Sequence, residues 1–171
     1  MKSMTTATKG AQRKAGKGRT DPFGFFKRAT ADTFNFLVEE YSFEESSSGV
    51  YPPECAIKYQ NQTTGVTITY EWGGVAWVDL SRVDDDERYS LDVLMLACQL
   101  DRSIDEFYPA DGESPNEYIE RVLRDYAQVL MSCGREILSG DFRIFPKLKK
   151  LSEDVLSQRN KEMFGSETGV T

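Results

Sequence analysis

An α+β fold, an antiparallel β-meander of three to four strands packed against about four helices, is predicted by the change of apolar period along the chain. Segments 54–60, 66–71 and 75–81 alternate at period two, whereas the flanking segments repeat their apolar residues every third or fourth position. Turn-forming residues separate the two kinds of segment.

In chain order, Asp21 and Pro22 supply a capping residue and a proline suited to a first helical turn. Phe26, Phe34, Leu37, Val38 and Tyr41 then predict a helix over 22–41. The aromatics Phe23, Phe25, Phe26, Phe34 and Phe36 crowd this helix, which suits packing on both a sheet and a neighbouring helix. Ser46-Ser47-Ser48-Gly49 and Pro52-Pro53 read as a loop, with a short fourth strand over 41–45. Cys55, Ile57 and Tyr59 share one face of a strand, and Val66, Ile68 and Tyr70 one face of the next. Asn61-Gln62-Thr63-Thr64-Gly65 joins these two, and Gly73-Gly74 leads into the third, with Trp72 and Trp77 on either side. Beyond the acidic turn 84–87, Ser90 caps a helix bearing Leu91, Leu94, Met95 and Cys98. Ser114-Pro115-Asn116-Glu117 combines a capping box with proline at the first position. Ile119, Val122, Leu123, Tyr126, Val129, Leu130, Cys133 and Ile137 continue as one stripe that Gly140 ends. Pro146 opens a last helix with Leu148, Leu151, Val155 and Leu156 turned inward.

Charge divides the chain unevenly. Residues 1–20 hold Lys2, Lys9, Arg13, Lys14, Lys17 and Arg19 without an acid, and the remainder has 15 basic against 28 acidic residues. The first segment has too little apolar surface to join a core and is expected to be a disordered basic arm. Residues 21–165 form the expected domain and 166–171 a flexible tail. No apolar run approaches the roughly 20 residues that cross a bilayer. Cys55, Cys98 and Cys133 stand in apolar stretches without metal-ligand spacing, as reduced cysteines of a cytoplasmic protein do.

Histidine is absent, which closes Ser–His, Cys–His and His–zinc chemistry. Four consecutive carboxylates at 84–87 lack the alternate spacing of a calcium loop. No phosphate-binding glycine loop is present, and no pair of carboxylates is singled out as acid and base. The expectation is a protein without catalytic residues, metal or cofactor.

Between Asp79 and Glu117 there are twelve acids, opposed only by Arg82, Arg88 and Arg102. Aromatic residues stand among them. This combination suits a basic protein partner, with charge steering encounter and rings anchoring the complex, and it disfavours nucleic acid on the acidic body. The residues expected to bind are Asp84, Asp85, Asp86, Glu87, Asp105, Glu106, Phe107 and Tyr108. A competing surface is the basic cluster Arg143, Lys147, Lys149 and Lys150.

Ile137-Leu138-Ser139-Gly140-Asp141-Phe142-Arg143-Ile144-Phe145-Pro146-Lys147-Leu148, after a helix and a β-meander, resembles small bacterial immunity proteins of polymorphic toxin systems. The resemblance implies neutralisation of a cognate toxin, by covering its active site or by allosteric block. The alternative is a structural or adaptor subunit of a bacterial or phage assembly, docked through the basic arm.

Overall fold

The three alternating segments form neighbouring antiparallel strands, and the sheet extends by one strand on each side of them. The computed structural model describes residues 23–85, 87–100 and 107–164. Its elements are α1 (Gly24–Thr33), α2 (Asn35–Tyr41), β1 (Glu44–Tyr51), β2 (Glu54–Gln60), β3 (Thr64–Glu71), β4 (Ala76–Arg82), β5 (Arg88–Ser90), α3 (Leu91–Ala97), α4 (Pro115–Cys133), α5 (Arg135–Leu138) and α6 (Phe145–Phe164). The strands follow sequence order across one sheet, each antiparallel to the next.

Register turns the alternation into a core. Cys55 lies opposite Tyr70 and Tyr70 opposite Ala76; Ile57, Ile68 and Val78 form a second row; Tyr59, Val66, Leu80 and Tyr89 form a third. All ten are buried. At about 1.5–3 kcal/mol for each large apolar side chain removed from water, these rows dominate the stability of the sheet. The opposite face carries Lys58, Thr67, Trp77, Asp79 and Ser81, all half-buried.

Helix α4 lies on the buried face because its stripe, Ile119, Val122, Leu123, Tyr126, Val129 and Leu130, is wholly buried. Two tyrosines fix its position. The Tyr118 hydroxyl accepts from the Ala76 amide at 2.8 Å, and the Tyr126 hydroxyl donates to the Ala76 carbonyl at 3.0 Å. Both backbone groups of the first β4 residue are thus satisfied by one helix. The capping box at Ser114 and Glu117 forms as the sequence predicts. At the same end of the sheet, Phe23 and Phe26 pack on the ring of Tyr70, the cross-strand partner of Ala76.

The hairpin turn between β2 and β3 is clipped to the helices. The Asn61 side-chain amide donates to the carbonyls of Tyr41 and Leu138, each at 3.2 Å, while its oxygen accepts from the Thr63 and Thr64 amides. The Thr64 hydroxyl donates to the Ile137 carbonyl at 2.9 Å. Gly140, at φ +87°, lies so near Thr63 that a Cβ would stand 2.9 Å from its hydroxyl. Only glycine suits both conditions.

Several expectations are corrected. The first helix is two, broken at Phe34, whose ring is fully buried; Val38 is exposed. Ser46–Gly49 are not a loop but the middle of β1, paired with β2. The α4 stripe stops at Cys133, since Gly134 caps α4, and Ile137 belongs to the short α5. A Cβ at Gly134 would lie 2.8 Å from the Leu130 carbonyl oxygen, so a side chain has no room there. Leu156 is exposed. Asp21, Pro22, the basic arm and the tail lie outside the described residues.

Candidate partner-binding surface

Strand β4 ends with its last side chains turned back on the turn that follows. Arg82 forks onto Asp84, its Nε donating to Oδ1 at 3.1 Å and Nη2 to Oδ2 at 2.9 Å. The same guanidinium stands 5.1 Å above the Phe142 ring. The Val83 amide donates to the Thr63 carbonyl, and the Asp85 carboxylate accepts from the Glu87 amide at 3.0 Å. The turn is therefore hydrogen-bonded from within and its carboxylates are held in place.

Glu87 is the junction of this surface. It accepts from the Tyr89 hydroxyl at 2.5 Å and from Lys149 Nζ, on α6, at 2.7 Å. The bond from Lys149, then that from Tyr89, lowers the Glu87 pKa below the ordinary value. Lys149 is raised in return. Burial, followed by the bond to Glu87, pushes the Tyr89 phenol up to about 12. The Tyr89 ring also meets Phe145 at 4.9 Å, which binds the start of α6 to β5.

The acidic turn and the basic cluster, alternatives in the sequence, thus touch one another. Lys149 pairs with Glu87, Lys147 Nζ donates to the Ala97 carbonyl at 2.6 Å, and Arg143 pairs with Asp141. Further along the acidic sector, Arg121 grips Glu113 through two bonds of 2.7 Å and donates to the Tyr108 carbonyl at 3.0 Å. Glu117 is taken by the capping box. Lys149 and Arg121, from outside the sector, thus pair with Glu87 and Glu113, which the linear count of charges hides.

Of the residues expected to bind, Asp84 and Asp85 are exposed and Glu87 is part of the same turn. Tyr108 is half exposed. Phe107 is corrected: its ring is buried and stacked on Tyr126 at 4.6 Å, so it is a core residue and not an anchor. Asp86, Asp105 and Glu106 lie outside the described residues.

Two carboxylates that sequence reasoning did not single out also approach one another. Burial raises the Asp79 pKa, opposed by Arg88 and a hydrogen bond from Trp77 and reinforced by Asp92. Asp92 is raised by burial as well, with Arg159 opposing. Asp92, Trp77, Tyr108 and Tyr126 line a small cleft of about 70 Å³. Twelve residues lie between the two acids, and no local pattern marks the approach.

Fold and surface together define an α+β domain with a charged, internally bonded turn at one end of its sheet. No family model matches the chain, and neither a curated protein nor a solved structure does. Among the described residues, no helix is long and apolar enough to cross a membrane.

Proposed function

We propose that the chain is a non-catalytic protein-binding domain of the immunity type, which neutralises a basic partner through the β4–β5 turn. The observation that carries this reading is the exposure of the turn's own ion pairs. Side chains of Arg82 and Asp84 are 39% and 70% exposed, and those of Lys149 and Glu87 are 56% and 41% exposed. Exposed pairs contribute only about 0–1 kcal/mol, so a partner's arginine or lysine exchanges with Arg82 or Lys149 at little cost. The carboxylates are already oriented, which spares the complex part of the ordering entropy.

Co-expression tests the reading. The chain should protect a bacterial host from the toxin encoded beside its own gene. D84K/D85K/E87K should remove that protection while leaving the melting temperature close to that of the parent. Protection unaffected by the three reversals would overturn the choice of surface. No protection by the parent chain, with capture of an assembly partner that depends on residues 1–20, would support the adaptor reading instead.

A further inference from the structure

We propose that β1 is the pairing edge of a homodimer, in which two copies join antiparallel through Ser47–Tyr51 to make one continuous sheet. Among the described residues, strand β1 is outermost in the sheet and pairs with β2 alone. Seven of its eight residues are exposed. Ser48 and Val50 lie opposite Ile57 and Cys55, which are buried, yet Ser48 and Val50 are themselves exposed. The helix cover therefore ends at β2, and among the described residues no strand takes the outer N–H and C=O groups of β1.

Unpaired edges of this length recruit strands unless charge, proline or a bulge blunts them. Here the blunting is confined to one half. Glu44 and Glu45 precede a register shift between Glu45 and Ser47. From Ser47 to Tyr51 the register is regular and no residue is charged. The other edge of the sheet differs: β5 has three residues, leads directly into α3 at Leu91, and is packed by α6 through Tyr89 and Phe145. One edge is closed and one is open, so pairing ends at two copies.

The occupant that fits is a second copy, because this segment complements itself. A two-fold axis at Gly49 places Ser47 opposite the second copy's Tyr51, Ser48 opposite its Val50, and Gly49 opposite Gly49. No carboxylate faces a carboxylate, although the chain is acidic. The Tyr51 ring, 74% exposed, already lies over Gly49, where an added Cβ would meet its Cε2. Two such rings, one from each copy, cover the glycine pair at the centre of the joined sheet, as aromatic residues cover glycines in paired strands.

Sedimentation velocity of the full chain tests this and also reads the register. Apparent mass should rise with concentration, across the micromolar to sub-millimolar range, from one chain toward two. S48K/V50K places lysine opposite lysine twice and should leave a monomer at every concentration. S48K/V50E places lysine opposite glutamate twice and should restore the dimer, more strongly at low salt. A parent chain that is monomeric throughout, or a dimer that S48K/V50K leaves unchanged, would overturn the proposal. So would a failure of S48K/V50E to recover what S48K/V50K loses, with circular dichroism showing both variants folded.

Discussion

At the scale of single residues, two buried hydroxyls contrast. The Thr30 hydroxyl is buried without a hydrogen-bond partner among the described residues. The Tyr118 hydroxyl accepts from the Ala76 amide and donates to the Phe107 carbonyl at 3.1 Å. Burying an unsatisfied hydroxyl is costly, so T30V, which keeps the shape and removes the polar atom, should stabilise the protein by about 1 kcal/mol. Y118F leaves a buried amide and carbonyl without their partner and should destabilise it by about 2 kcal/mol. Urea denaturation measures both, and a T30V variant less stable than the parent would mean that Thr30 has an acceptor. Phe107 shows why burial was harder to read than chemistry. Its neighbours Asp105, Glu106 and Tyr108 are polar, and the contact that buries it, Tyr126, lies on another element.

At the scale of elements, Glu113 fastens the chain before α4 to the helix itself. The bond from Arg121, then that from the Ala110 amide, pulls its carboxyl from the ordinary 4.5 to about 2. A carboxyl depressed in the folded state stabilises it fully above the unfolded value and loses that contribution as pH falls through the folded one. E113Q should therefore cost about 2 kcal/mol at neutral pH. The difference from the parent should shrink from pH 4.5 downward and be nearly gone at pH 2, as thermal melts across that range will record. Strands β2, β3 and β4 were legible because each turns one face to the core and must alternate. Strand β1 was illegible for the same reason: beyond the helix cover it has no core to face, and its serines carry no period. Strand β5 is too short to show one. The break at Phe34 has no glycine or proline to announce it. The α4 capping box was legible because its bonds run between residues three apart. The Lys149–Glu87 pair spans 62 positions, so the charge count overstated how much acidity stands unpaired.

At the scale of the whole molecule, residues 1–20 contribute charge without apolar bulk. Their removal should shift the melting temperature by no more than about 2 °C, whereas loss of cooperative unfolding would show that the arm is structural. The clip at the β2–β3 turn has a different consequence. The short stretch that resembles immunity proteins contains Ile137 and Leu138, whose carbonyls receive Thr64 and Asn61, and Gly140, which must stay bare beside Thr63. Three of its letters thus answer to a hairpin as far as 77 positions upstream. Kinship is then best sought with a two-part signature, Asn-x-Thr-Thr-Gly paired with a distant Ile-Leu-x-Gly, because the contact constrains both halves at once.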